Sequence, residues 1–358
     1  MNKITYVFKE GRISRLSDES VFPKEFFYSF FDLNKDPIND CSIIELSKSG
    51  NLISNFIFKL IRKILKVPMY TEKILTYKNL KIFYHSTHII NTNQNIGYST
   101  LPVIFFLKLF RNISVSTFIM GFSDFDLEKR SKKILNFLLI KVSDNLIFLG
   151  EGEYKAAINK YRSYSDRFHL LPFCVDTEFW NNPKSNIKEF VLFIGNDKNR
   201  DYEFLIELID NLSSINFVVI SSRMEKIHKK NVTHIKGSWN SLELNDLEMK
   251  EFYSKSLLTI LPLKESMQPS GQSVALQSMS METPVLITKT SGFWDFENFR
   301  NNENIVFLNN SLDEWTNSIN KVIKNKDFTD KLSSNAKKIV NDIYSIEIFT
   351  KNLSEIIL

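Results

Sequence analysis

The chain has 358 residues, of which 43% are hydrophobic and 24% are charged. Single cores rarely grow beyond roughly 250 to 300 residues, so this length predicts two domains, and the composition excludes a disordered protein. The net charge of +5 is small for a nucleic-acid-binding protein but suits phosphate-bearing or membrane-surface partners. We therefore expect a two-domain globular protein that binds no nucleic acid.

The start of the chain and its cysteines bear on its location. Residues 1–3 lead directly into the apolar run Ile4–Phe8, which leaves no room for the regions of a secretory signal. The apolar stretches are shorter than the roughly 18 residues that a membrane-spanning helix needs. Cys41 and Cys174 match no metal or redox spacing, so we expect free core thiols. These features predict a cytoplasmic protein.

Short apolar runs recur along the first half of the chain, between longer segments. The predicted strands are Ile4–Phe8, Ser42–Leu46, Lys81–Tyr84, Ser114–Met120 and Asn145–Leu149. This half predicts an α/β unit, which we place at residues 1–174. The polar segment Asn181–Asn186, which contains a proline, follows Pro172–Trp180 and is typical of a hinge linker.

The second half alternates strands and helices more regularly. The predicted strands are Phe190–Ile194, Phe217–Ile220, Leu257–Leu261, Pro284–Thr288 and Asn304–Leu308. The predicted helices between them are Asp201–Leu212, Asp246–Ser254 and Gly271–Glu282, and the tail from Asp327 to Leu358 predicts two more. Buried strands that alternate with helices indicate a doubly wound parallel sheet. We place this second domain at 175–345, with a C-terminal helix at 346–358.

The loop after the strand Phe190–Ile194 contains a candidate phosphate site. Gly195 would let the backbone approach a ligand closely, with Asn196 beside it as a further donor-binding candidate, and a cation further along the loop could neutralise a diphosphate. Arg200 is the favoured cation and Lys198 the alternative. An ordinary turn with a solvated arginine explains this segment equally well.

A second polar segment follows the strand Leu257–Leu261. Pro269 disfavours helix at Gln268, Ser270 is a good N-cap, and Gly271 leaves the first-turn amides open to an anion, beginning with Gln272. A phosphate or a sugar hydroxyl could bind there, although the same helix also packs into the core. Another glycine-containing loop, Lys289–Asp295, follows the next strand.

The run from Pro269 to Val285 resembles the donor-binding segment of the retaining glycosyltransferases of family four. Gly195–Asp201 resembles the first loop of that family's second domain, and Phe148–Tyr154 with Pro172–Trp180 resembles the approach to its linker. The resemblance implies the GT-B fold, with two Rossmann-like doubly wound domains facing across a cleft and C-terminal helices packing back on the first domain. It also implies a nucleoside-diphosphate sugar as co-substrate, no cofactor, and transfer of a hexose-type sugar with retention to a glycolipid, lipopolysaccharide or polysaccharide.

The departures from that family concern its two glutamates, which are separated by seven residues. Gln277 stands at the second position, where a ribose contact is implied, and Pro269 stands at the first. Glu265 and Gln268 lie nearby as candidates for the sugar side, and Asn196 stands where an arginine is usual. The catalytic residues therefore stay open. The alternatives are a non-catalytic nucleotide-sugar-binding or scaffold protein of the same fold, and an unrelated α/β enzyme acting on phosphates.

The remaining polar residues suggest no metal site. A leaving phosphate needs positive charge, which helix termini and Arg200 could supply, so we expect a metal-independent reaction. Asp124 and Asp126 are an isolated pair, more typical of a helix cap. His85 and His88 follow a predicted strand, and a structural or solvated histidine is the more common case.

Residues 51–67 form a basic, amphipathic segment. No acidic residue occurs from Asn51 to Tyr70, and Lys59, Arg62, Lys63 and Lys66 share about a third of the helical circumference. The segment is either an interfacial helix on an anionic membrane surface or a helix whose apolar side is buried in the first domain.

Overall fold

A computed structural model describes residues 1–16, 22–46, 52–122, 130–181, 188–237 and 244–358. Asp124 and Asp126, the linker residues Asn182–Asn186, and Asn51 lie outside these ranges. The chain forms two compact units. The first contains Met1–Asp18, Phe26–Leu171 and Thr350–Leu358, and the second contains Glu19–Glu25 and Pro172–Phe349.

The first unit is built on a parallel sheet of six described strands. These are β1 Asn2–Phe8, β2 Asn39–Glu45, β3 His88–Asn91, β4 Ser114–Ile119, β5 Asn145–Phe148 and β6 Phe168–Leu170. Their order in the sheet is β2-β1-β3-β4-β5-β6. The described helices are α1 Phe30–Lys35, α2 Leu52–Leu65, α3 Tyr77–His85, α4 Gln94–Lys108, α5 Arg130–Val142 and α6 Glu151–Lys160.

The predicted strand Lys81–Tyr84 is wrong, because these residues lie in α3. Thr76 caps that helix, and its side chain accepts a 3.2 Å hydrogen bond from the amide of Asn79. The cap satisfies a first-turn donor, which favours a helix where the short apolar run is compatible with either structure. The strand forms further on, at β3, where it pairs with β1 and β4. His85 therefore ends a helix and His88 begins a strand.

The second unit contains another parallel sheet of six described strands. These are β7 Phe190–Ile194, β8 Phe217–Ile220, β9 Val232–Ile235, β10 Ser256–Leu261, β11 Val285–Thr288 and β12 Val306–Leu308. The described helices are α7 Tyr202–Asn211, α8 Asp246–Lys255, α9 Gln272–Ser280, α10 Leu312–Lys324, α11 Lys326–Ile343 and α12 Ile346–Ile357. The two helices predicted for the tail are confirmed as α11 and α12. α12 begins in the second unit and ends in the first, where Thr350 donates a 2.8 Å hydrogen bond to Ser29.

Both faces of the second sheet are covered by apolar side chains, as the predicted architecture requires. Leu192 of β7 packs in one cluster with Ala275 and Met279 of α9. Its neighbours Val191 and Phe193 point to the other face, where their cluster includes residues of α7 and α10. Successive residues of a strand face opposite sides, so a strand buried on both sides is apolar throughout. The prediction of two doubly wound parallel units is confirmed.

Candidate nucleotide-sugar site

In the second sheet, the direction in which the chain adds successive strands reverses between β7 and β10. The chain runs outward from β7 through β8 and β9, and then outward on the other side from β10 through β11 and β12. The loops after these two central strands leave the same edge of the sheet and diverge, which is where open parallel sheets bind ligands. The segments predicted to bind the donor, Gly195–Asp201 and Pro262–Gln277, directly follow these strands.

Arg200 lies in the loop after β7, and its side chain reaches towards the loop after β10. Its backbone forms an isolated bridge with Leu263, and only 2% of the residue is exposed. A Cβ at Gly195 would collide with Arg200 Nε, and one at Gly271 would lie 2.7 Å from Arg200 Nη1. Glycine at these two positions therefore makes room for the guanidinium.

The protein satisfies the Arg200 guanidinium only in part. Asp197 Oδ2 lies 3.3 Å from Nε, but neither Nε nor Nη1 makes a well-directed hydrogen bond to a described residue. A buried donor without a partner costs about 1–3 kcal/mol, and more when it is charged. An anion at this position would remove that cost. Lys198, the alternative cation, lies on the same loop with its side chain exposed.

Helix α9 begins beside the guanidinium. Gly271 occupies the N-cap position with φ of +81°, in the left-handed region, and no side chain of a described residue caps the helix. Amides in the first turn of an uncapped helix carry partial positive charge and favour an anion. The prediction that Ser270 is the N-cap is wrong, because its hydroxyl instead accepts a 2.8 Å hydrogen bond from Asn199 Nδ2. Gln272 lies buried in the first turn.

Asn199 connects the two central loops. Besides its bond to Ser270, its Nδ2 lies 3.3 Å from Gln268 Oε1, and its carbonyl accepts a 2.8 Å hydrogen bond from the amide of Lys264. Gln268 therefore faces the loop after β7. These bonds join the loop that carries Arg200 to the segment that leads into α9.

Glu265 connects the loop after β10 to the loop after β11. Its Oε1 accepts a 3.0 Å hydrogen bond from the amide of Ser291 and another from the Ser291 hydroxyl. A Cβ at Gly292 would overlap the backbone of Ser266 and Met267, so this close approach requires glycine. The structure thus brings all three predicted loops together.

Asn196 is engaged with the other side of the sheet. Its Nδ2 donates a 2.7 Å hydrogen bond to the carbonyl of Gly237, after β9, and its Oδ1 accepts a 2.6 Å bond from the amide of Ser222, after β8. The Asn196 side chain therefore links the loops after β8 and β9 to the end of β7 by hydrogen bonds. Direct contact between Asn196 and a donor stays a prediction.

Gln277, in the second turn of α9, is buried in a hydrogen-bonded network. Its Nε2 donates to Glu25 Oε1 at 2.9 Å, and its Oε1 accepts from the Tyr253 hydroxyl at 2.9 Å. An amide side chain has two donor hydrogens and two acceptor lone pairs, so one of each is left for a ribose hydroxyl. A ribose contact stays a prediction.

Glu25 is a residue of this site that sequence reasoning missed. It belongs to the second unit, is fully buried, and also accepts hydrogen bonds from Trp180 Nε1 at 2.8 Å and from the amide of Asp176 at 3.2 Å. Burial raises the pKa of Glu25 to about 7, although the hydrogen bonds from Gln277 and Trp180 oppose the rise. In the sequence, the only local feature that could have pointed to Glu25 is an acidic residue followed by Phe26 and Phe27.

The other polar candidates lie in the first unit. His85 is exposed, and His88 shares a 2.9 Å hydrogen bond with Thr87 while partial burial lowers its pKa. The described ranges contain no group of three or more His, Cys, Asp or Glu side chains placed to hold a metal ion. Metal independence stays a prediction.

A known family of proteins matches the second half of the chain. Residues 175–339, just under half of the sequence, match the model of the family described as glycosyl transferases group 1. This range contains the three loops described above. No curated protein matches the chain at a significant level.

Solved structures of glycosyltransferases share the fold over the whole length. Anabaena Alr3699/HepE, solved with UDP and glucose, is 11% identical with a TM-score of 0.67, covering 99% of both chains. A glycosyltransferase from Rickettsia africae ESF-5 is 14% identical with a TM-score of 0.66, covering 99% of this chain and 97% of that one. The catalytic domain of starch synthase IV from Arabidopsis thaliana, bound to ADP and acarbose, is 10% identical with a TM-score of 0.64, covering 99% and 98%. The chain thus has the GT-B fold, and its residues 175–339 are similar to the glycosyl transferases of group 1.

Proposed function

We propose that the protein transfers a hexose-type sugar from a nucleoside-diphosphate sugar to a glycolipid, lipopolysaccharide or polysaccharide acceptor, with retention of configuration. The observation that carries the proposal is the buried Arg200 guanidinium, whose Nε and Nη1 lack hydrogen-bond partners among the described residues. It lies against the start of α9, which no described side chain caps, at the point where the strand order of the sheet reverses. We assign the donor to 175–345 and the acceptor to 1–174.

The chemistry of the transfer explains why these groups are suited to it. Cleaving the bond between sugar and diphosphate develops negative charge on the leaving phosphate. Arg200 and the first-turn amides of α9 would stabilise that charge, and their positions are already held by Asn199 and the two glycines. They supply positive charge without a metal ion, which supports a metal-independent reaction that needs no cofactor.

The solved relatives suggest which donors to test first. The Anabaena protein was solved with UDP and glucose, and the Arabidopsis enzyme with ADP and acarbose. UDP-glucose and ADP-glucose are therefore the first donors in a panel of nucleotide sugars, with release of the nucleoside diphosphate as the measurement. Turnover with a lipid-linked or saccharide acceptor supports the enzyme. No release from any donor, with any acceptor, contradicts it.

Arg200→Ala tests the donor site directly. Loss of a charged hydrogen-bond donor to the diphosphate should weaken binding of the nucleoside diphosphate about 10- to 100-fold. Lys198→Ala is the matched control, because it removes a cation from the same loop whose side chain is exposed. Unchanged affinity in Arg200→Ala, or an equal loss in Lys198→Ala, would refute the assignment of the diphosphate to Arg200.

A second candidate is a non-catalytic nucleotide-sugar-binding or scaffold protein of the same fold. It is favoured by Pro269 and Gln277 at the positions of the two family glutamates, and by the engagement of the Gln277 amide with Glu25 and Tyr253. Calorimetry separates the two functions. Tight binding of a nucleotide sugar without turnover in any acceptor mixture indicates the scaffold.

The acceptor classes suggest a place for the protein at a membrane. We propose a cytoplasmic protein that is peripheral on the inner face of the membrane, with residues 51–67 towards an anionic surface. The basic residues of this segment support that proposal, and fractionation of cells into soluble and membrane extracts tests it.

A further inference from the structure

Helix α2 presents an apolar stripe to solvent. Its exposed apolar residues are Ile53, Phe56, Ile57, Leu60 and Ile64, with between 48% and 70% of each exposed. Residues at these spacings share one side of a helix. In a helix packed on its own domain, such a stripe faces the core, whereas this one is largely exposed.

The opposite side of α2 is the side that attaches the helix to the first unit. Arg62 donates to the carboxylate of Glu72 at 2.5 Å and to the carbonyl of Met69 at 2.9 Å. Phe58 lines a cavity of about 410 Å³ together with side chains of α3 and α4. These contacts attach α2 to the first unit through the side that carries Arg62 and Phe58.

Two further groups of exposed apolar side chains lie on α3 and at the end of α4. Tyr77, Leu80 and Tyr84 of α3 are exposed. The group at the end of α4 consists of Phe105, Phe106, Leu109 and Phe110, with 60% to 71% of each exposed. Leu80, Tyr84 and Phe106 line the same cavity as Phe58. The three helices therefore meet at this cavity, and we call their exposed apolar residues together the α2–α4 surface.

Basic residues dominate the part of the chain that carries this surface, although Lys108 at the end of α4 is paired with Asp144. Residues 52–122 contain nine Lys and Arg side chains and a single acid, Glu72. That acid is buried and paired with Arg62, so it does not offset the exposed Lys59, Lys63 and Lys66. Exposed groups of apolar side chains mark interaction sites, and the excess of basic residues favours an anionic partner.

We propose that the α2–α4 surface docks in the plane of an anionic lipid bilayer. The apolar side chains enter the boundary of the acyl chains, and the lysines lie at the level of the headgroups. A second copy of the chain fits less well, because a symmetric contact between two such surfaces would place like charges together. No helix of the described ranges is long and apolar enough to cross a membrane, so the contact is interfacial.

This inference extends the proposed function by naming the surface that meets the membrane and by adding α3 and α4 to the segment 51–67. Docking needs no donor and no turnover. Vesicle binding can therefore fail while sugar transfer to a water-soluble acceptor persists, and the reverse can also occur.

Co-sedimentation with vesicles tests the proposal. The intact chain should pellet with vesicles of phosphatidylcholine and phosphatidylglycerol, bind weakly to phosphatidylcholine alone, and dissociate at high salt. Lys59→Glu with Lys63→Glu should lower the partition coefficient by on the order of 10-fold or more. Lys324→Glu with Lys326→Glu is the control, because it makes the same charge change on exposed lysines of the second unit and should leave binding unchanged.

A second pair of variants tests the apolar contribution at constant charge. Phe56→Ser with Leu60→Ser, and Leu109→Ser with Phe110→Ser, should each weaken vesicle binding with the thermal transition unchanged, since all four side chains are exposed. Leu247→Ser, at an exposed leucine of the second unit, is the control. Binding by both serine pairs at the level of this control would overturn the proposal. So would a dimer in light scattering that these pairs convert to monomer without any vesicle binding.

Discussion

Glu25 Oε1 accepts a 2.9 Å hydrogen bond from Gln277 Nε2, which joins residues 252 positions apart in the sequence. The resembling family has a glutamate at the position of Gln277. A glutamate there would place a second carboxylate against Glu25, whereas the amide donates to it. Tyr253 donates to the other end of the amide, so the orientation of Gln277 is set from both sides. Glutamine at 277 and the buried carboxylate of Glu25 are therefore complementary.

We expect Gln277→Glu to destabilise the protein by about 1–3 kcal/mol above pH 7, because two buried carboxylates would face each other without a donor between them. Urea unfolding at pH 8 measures the change. The double variant Glu25→Gln with Gln277→Glu should recover much of the loss, since the amide then lies on the other side of the same hydrogen bond. Equal stability of the single variant and the native chain would show that the pair is not coupled.

Glu25 should also make stability depend on pH. Its pKa is about 7 in the folded protein against an ordinary 4.5, so the folded state holds a proton that the unfolded state releases. Stability should therefore fall as the pH rises from about 4.5 to 7, by on the order of 3 kcal/mol relative to Glu25→Gln. Urea unfolding of both proteins at pH 5 and pH 8 measures the difference. Parallel pH profiles would contradict the raised pKa.

The conformation of Gly271 should be required for donor binding. Its φ is +81°, and a Cβ added there would lie 2.7 Å from Arg200 Nη1, so alanine is strained and displaces the guanidinium. We expect Gly271→Ala to lose about 1 kcal/mol of stability and most of the affinity for a nucleoside diphosphate. Calorimetry with UDP and ADP measures the affinity. Gly237→Ala is the matched control, since its added Cβ would make contacts of 3.4 Å or more.

Arg200 should stabilise the complex with a nucleoside diphosphate and lower the free energy of unfolding of the protein without nucleotide. Its guanidinium is buried and poorly paired, so Arg200→Met should raise the melting temperature without nucleotide or leave it unchanged. The same variant should lose the rise in melting temperature that UDP or ADP produces in the native chain. Thermal unfolding with and without nucleotide measures both. A large fall in stability without nucleotide would mean that Arg200 is structural.

Much of the second unit could be predicted from the sequence. Its apolar runs are short and buried on both faces, and polar turns bound them, so periodicity and length indicate the strands directly. The strand prediction at Lys81–Tyr84 is wrong because so short a segment, with three apolar residues after a lysine, fits a helix equally well, and the cap at Thr76 favours the helix. The prediction that Ser270 caps α9 is wrong because its hydroxyl bonds to Asn199, on a loop that is distant in the sequence. A local pattern could not show that partner.

The sequence by itself determined the alternation of strands and helices, the loops that carry Gly195, Arg200 and Gly271, and the amphipathic pattern of α2. Each of these depends on residues that are close together in the chain. Only the tertiary structure decided that Glu25 bonds to Gln277, and that the apolar stripe of α2 is exposed. Periodicity shows which residues share one side of a helix, but which side is covered depends on packing against distant elements.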